Sequence, residues 1–91
     1  MIRLNVFIKV DERNQADLLG IIKQLVDNAQ TEAGCVAYDV FESSTRLDVM
    51  MICETWQDNE ALIAHTQSDL YKELVPKMHK MAEFKTEKFA F

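Results

Sequence analysis

Apolar residues occupy every second position at the start of the chain, with Ile2, Leu4, Val6, Ile8 and Val10 on one side and Arg3, Asn5, Phe7 and Lys9 on the other. A period of two belongs to a strand, whose side chains point alternately to its two faces. Asp11-Glu12-Arg13-Asn14 ends that pattern with charged and turn-forming residues. From Asn14 or Gln15 the period lengthens. Leu18, Ile22, Leu25 and Ala29, joined by Leu19, Ile21 and Val26, recur at steps of three and four, which predicts a helix with a broad buried stripe. Glu32-Ala33-Gly34 reads as its exit, with Gly34 near the C-cap.

Residues 35–42, with Val36, Tyr38, Val40 and Phe41, read as a second strand, and Ser43-Ser44-Thr45-Arg46 as a loop. The run from Val49 to Trp56 is apolar on both faces except at Glu54, as in an inner strand, so the two runs form a hairpin. Asp58 then caps a short helix to about Thr66, and Ser68 caps another carrying Leu70, Leu74, Val75, Met78 and Met81. Pro76 lacks an N–H donor and crowds the carbonyl four residues back, which predicts a kink or break before Lys77. After Ala82 a last strand alternates to the end. The order β-α-β-β-α-β, with its second helical region split, predicts a ferredoxin-like α+β sandwich made of one domain over residues 1–91. Strands one and three carry apolar residues on both faces, whereas helices cover only one. A second copy of the sheet, packed face to face in a dimeric α+β barrel, is the simplest symmetric cover.

Composition supports that expectation, because 48% hydrophobic residues is generous for 91 positions, and a small domain buries a smaller share of its surface than a large one. A formal charge of −5 with no basic run gives a phosphate backbone nothing to bind, which excludes nucleic acid as a partner. No apolar run approaches the roughly 18–20 residues of a membrane span. The start of the chain lacks the basic, apolar and small-residue sections of a secretory signal, so a cytoplasmic setting is expected. Cys35 and Cys53 stand apart in apolar surroundings, and together with His65 and His79 they lack the spacing of a zinc site. Buried free thiols and no metal are expected.

Candidate chemistry converges on Ile52 to Tyr71, where strand, turn and helix bring Glu54, the only Trp (Trp56) and His65 together. Imidazole titrates near neutrality and suits a base or anion partner, which makes His65 the candidate catalytic residue. Tyr38, Tyr71 and Asn5 can hydrogen-bond substrate oxygens, and Trp56 can form an aromatic wall. Each has a plainer reading as well. His65 can be a satisfied structural residue, and Glu54 can cap backbone groups or pair with a cation. Trp56 and Tyr71 can be core, Asn5 can belong to a polar sheet edge, and His79, between Lys77 and Lys80, can be solvated. Met50, Met51, Met78 and Met81 are packing residues.

Glu32-Ala33-Gly34-Cys35, Tyr38-Asp39-Val40, Glu54-Thr55-Trp56, Glu60-Ala61-Leu62 and Ala64-His65, in this order and spacing, resemble the antibiotic biosynthesis monooxygenase family over nearly the whole chain. The resemblance implies a ferredoxin-like dimeric barrel with a pocket between sheet and helices in each subunit. It also implies a small-molecule substrate, dioxygen and no cofactor, as in the members that oxidise anthrones or quinols. The branch that processes a phosphorylated keto-sugar signal of the autoinducer-2 type is the alternative, and its spacing through His65 and Tyr71 matches evenly. Haem-degrading members are less similar, since their helical tryptophan corresponds to His65 and their haem ligand falls near Val75. A third reading is a dimer that holds a ligand without turning it over. A monooxygenase of this kind draws its electrons from the substrate, which leaves the protein to remove a proton, stabilise an anion and exclude water.

Overall fold

The computed structural model describes residues 1–91. β1 (Ile2–Val10) leads through a 3-10 turn (Glu12–Asn14) to α1 (Gln15–Ala29), followed by the hairpin β2 (Cys35–Glu42) and β3 (Val49–Trp56). Two helices, α2 (Asn59–Thr66) and α3 (Asp69–Met81), then precede β4 (Ala82–Ala90). The strands form one sheet in the order β2-β3-β1-β4, antiparallel at every contact. This is the ferredoxin-like α+β arrangement, and its split second helical region lies where the sequence predicts. Asp58 accepts from the Ala61 N–H at 2.8 Å to start α2, and the Ser68 hydroxyl accepts from the Tyr71 N–H at 3.2 Å to start α3.

Register follows the alternation read from β1. Ile8 pairs with Met50 on one side and Phe84 on the other, and Val6 pairs with Ile52 and Thr86. These residues share the face that the helices cover, where Ile8, Val10, Met50, Ile52 and Trp56 pack against Leu18, Ile22, Leu25 and Ala29 of α1 and Leu74 and Met78 of α3. The opposite face carries a row of Phe41, Met51, Phe7 and Lys85, a second of Asp39, Cys53, Asn5 and Glu87, and a third of Ala37, Thr55, Arg3 and Phe89. No helix lies on it within the chain, and Phe7, Phe41 and Phe89 stand exposed there.

Three expectations need correction. Pro76 does not break its helix, and α3 runs from Asp69 to Met81 with the proline inside. The carbonyl that loses its donor is that of Lys72, on the exposed side of the helix where water can serve it. Helix α1 ends at Ala29, so Gly34 is not its cap; it closes a five-residue turn at φ +81. Cys35 and Cys53 are free thiols but only half-buried. A Cβ on Gly34 would stand 2.5 Å from the Ala61 Cβ, so this position requires glycine both for its left-handed backbone and for the close approach of α2.

Candidate functional site

A cavity of about 150 Å3 lies between the sheet and the two later helices. Leu4, Val6 and Ile52 form its floor, Leu62, Val75 and Met78 its roof, and Tyr38, Glu54, His65 and Tyr71 bring polar atoms to it. Near one side His79 stacks on Phe84, with ring centroids 4.7 Å apart.

His65 sits in the last turn of α2 and is buried to 1% exposure. Its Nδ1 lies 2.7 Å from Glu32 Oε1, whereas Nε2 is buried without a hydrogen-bond partner. Aromatic rings hold the imidazole on three sides. Trp56 lies 4.6 Å away at 32°, Tyr38 5.4 Å away, and Tyr71 meets it edge-on at 5.1 Å. The turn that presents Glu32 is fixed locally, because the Glu32 N–H donates to the Ala29 carbonyl at 3.0 Å and its carbonyl accepts from the Cys35 N–H at 3.2 Å. The Gln57 N–H donates to the Gly34 carbonyl at 2.8 Å, tying that turn to the entry of α2. Carboxylate and imidazole therefore sit on two elements that are joined at their roots.

Glu54 is the second carboxyl, buried to 5% exposure on β3. Its Oε1 accepts from the Trp56 indole Nε1–H at 3.0 Å, and its strand register sets it directly opposite Tyr38 on β2. Burial pushes the Glu54 carboxyl above the usual carboxylate range, and the Trp56 hydrogen bond, the nearby His65 and Tyr38 oppose this without cancelling it. Burial first, then the Glu54 charge, also raises both Tyr38 and Tyr71. These phenols keep their protons at neutral pH, with the Tyr38 side chain hydrogen-bonded to Glu54.

The raised Glu54 has a consequence for stability. Between the ordinary carboxyl value of 4.5 and its higher folded value, the native state holds a proton that the unfolded chain has released, so stability falls as pH rises through that window. Glu54→Gln, whose amide oxygen can still accept from Trp56, is expected to raise the melting temperature above the window and to leave it unchanged below pH 4.5. Melting curves of both proteins from pH 4 to 8 check this; a loss of stability in the variant at neutral pH would contradict it.

Four of the residues singled out from the sequence, Tyr38, Glu54, His65 and Tyr71, thus meet around one cavity. Trp56 does not line it. At 0% exposure Trp56 is core, supporting His65 with its face and Glu54 with its N–H. Asn5 falls on the uncovered face of the sheet, opposite Cys53 and Glu87, because it alternates with the cavity-lining Leu4 and Val6. Glu32 is the residue that the sequence reading missed as a site member. It stands 33 positions from His65, and its placement as a helix-exit residue gave no sign of where its side chain points. His79 is exposed as expected, but one face of its ring is covered by Phe84. Lys and Arg are absent from the cavity lining.

Fold and site together define a ferredoxin-like domain with a largely apolar cavity containing a paired imidazole and a buried carboxyl. The chain belongs to the antibiotic biosynthesis monooxygenase family, whose model matches residues 1–77. The cavity also draws on Met78, His79, Phe84 and Thr86, beyond that span. The fold superposes with a TM-score of 0.95 on a Bacteroides thetaiotaomicron protein of unknown function, described as a candidate oxidoreductase. The two are 49% identical over 99% of this chain and 96% of that one. An uncharacterised Synechocystis protein, sll1783, is 28% identical over 91% of this chain, which spans 59% of that relative's length. YcnE of Bacillus subtilis, provisionally designated a monooxygenase, is 29% identical over 85% of this chain and 81% of its own. No helix is long and apolar enough to cross a membrane.

Proposed function

We propose that this chain is a monooxygenase acting without metal or flavin on a single-ring quinol, with His65 as the base. One observation carries this reading: the imidazole lines the cavity with Nδ1 committed to Glu32 and Nε2 buried and unpartnered. A buried polar atom left without a partner costs about 1–3 kcal/mol, and a substrate hydroxyl would satisfy it.

In the proposed reaction Nε2 takes the hydroxyl proton, and the electron-rich quinolate passes electrons to dioxygen to give a ring-carbon hydroperoxide. The ring C–H proton then leaves as the O–O bond breaks. Hydroxide departs as water, and the retained oxygen becomes a ring carbonyl or its hydroxyquinone tautomer. One quinol and one dioxygen thus yield one hydroxyquinone and one water. In this reading Tyr38 and Tyr71, both protonated and both lining the cavity, would donate to the substrate oxyanion, and the apolar lining would limit the water that competes for it.

Size and charge separate the possible substrates. A cavity of about 150 Å3 has room for a single aromatic ring. A phosphorylated keto-sugar would bring its dianion beside Glu54 with no Lys or Arg to meet it. The exposed Phe7, Phe41 and Phe89 on the uncovered sheet face support a homodimer formed by two such faces.

The test is dioxygen uptake by chelator-treated protein, with protein-free controls, across one-ring hydroquinones, anthrone and a keto-sugar phosphate. Uptake with the one-ring compounds, one dioxygen per quinol and no hydrogen peroxide, is expected from a species that sediments as two chains. Stoichiometric peroxide would indicate an oxidase instead, and binding without uptake a ligand-holding module.

A further inference from the structure

Resting on the reading of His65 as base, we propose that Glu32 is a positioning residue that decides which nitrogen of that ring carries the proton. In a neutral imidazole one nitrogen is an N–H donor and the other a lone-pair acceptor, and only the latter can take a proton from a substrate. Glu32 Oε1 lies 2.7 Å from Nδ1, within the range of a charge-assisted N–H···O contact. An ionised carboxylate only accepts, so this contact puts hydrogen on Nδ1, and in the neutral ring the lone pair is then on Nε2. Glu32 is placed for that role. With 19% of its side chain exposed it keeps contact with water, unlike Glu54, and its backbone is held on both sides by the hydrogen bonds to Ala29 and Cys35.

The other groups around the ring cannot set the tautomer. Tyr38, Trp56 and Tyr71 meet it through ring faces and edges, and none forms a hydrogen bond to either nitrogen. A histidine retained only for structure would have both nitrogens satisfied, whereas here the one remote from Glu32 is buried without a partner, on a residue that lines the cavity. Once Nε2 has taken a proton, the same carboxylate faces the imidazolium and stabilises it, so Glu32 acts through His65 without touching the substrate.

The tautomer can be read directly from nitrogen chemical shifts of 15N-histidine-labelled protein, with the two rings assigned by the loss of one signal set in His65→Phe. The expected wild-type spectrum has a protonated Nδ1 and an unprotonated Nε2 at His65. In Glu32→Gln the amide can donate as well as accept, so a population with Nε2–H is expected to appear. With a quinol substrate kcat should fall by at least ~100-fold and KM should change little, as when an orienting carboxylate becomes an amide in other His-dependent sites. A wild-type His65 protonated at Nε2, or a tautomer unmoved by Glu32→Gln, overturns the proposal. If the tautomer shifts as expected while no quinol drives dioxygen uptake, the positioning role stands and the oxygenase reading fails.

Discussion

His65→Phe is expected to lower quinol-dependent dioxygen uptake by at least ~100-fold, within the range that a positioned acid–base group contributes, while leaving the fold in place. Phenylalanine suits this test because the site is built around a ring. The imidazole is packed between Trp56, Tyr38 and Tyr71, and the phenyl ring, one atom larger than the five-membered imidazole, can keep those contacts without either nitrogen. Glu32 would lose its partner but stays hydrated at the turn. Alanine is the harsher change, since emptying a position of 1% exposure adds a packing loss of about 2–4 kcal/mol to the chemical one. An oxygen electrode and a melting curve separate the two effects. Full uptake by a folded His65→Phe protein would remove His65 from the chemistry.

Gly34→Ala is expected to be the most damaging small substitution outside the cavity. The left-handed backbone at φ +81 alone costs an L-residue about 1–2 kcal/mol. The new methyl would also stand 2.5 Å from the Ala61 Cβ, a clash that moves either the turn or α2. Together these come to about 2–4 kcal/mol, or a fall of roughly 10–25 °C in melting temperature for a domain of this size. Because this turn carries Glu32 and α2 carries His65, activity should fall below what the lost stability explains. Adding Ala61→Gly removes the clash but leaves the backbone strain and costs about 1 kcal/mol of its own within α2, so the double variant should recover less than half of the loss. Melting at one fixed protein concentration decides this; a single variant within 3 °C of wild type would show that the approach of turn to helix is not tight.

Most of the fold was legible because it is written in periodicity. The alternation of Ile2 to Val10, the three-and-four spacing of Leu18 to Ala29 and the caps Asp58 and Ser68 each specify an element from neighbours a few positions away. The site was legible only in part, because its residues meet through tertiary packing. Tyr38, Glu54, His65 and Tyr71 lie on the covered side of elements whose faces could be read. Glu32 lies in a turn, where no periodicity says which way a side chain points. Asn5 was singled out for its hydrogen-bonding amide, although the alternation of β1 sets it on the face opposite the cavity-lining Leu4 and Val6. Trp56 was read as a wall or as core, and the structure makes it core. Pro76 breaks a helix by local rules alone, yet here the carbonyl it leaves free faces water.

The strand order leaves β2 and β4 at the edges of the sheet, and an open edge is a template on which further chains can add. β4 carries Glu83, Lys85, Glu87 and Lys88 in six positions, a density of charge that resists stacking of like strands. The formal charge of −5 adds repulsion between whole molecules. The β4 margin should therefore resist the addition of further strands in a way that a bare apolar edge would not.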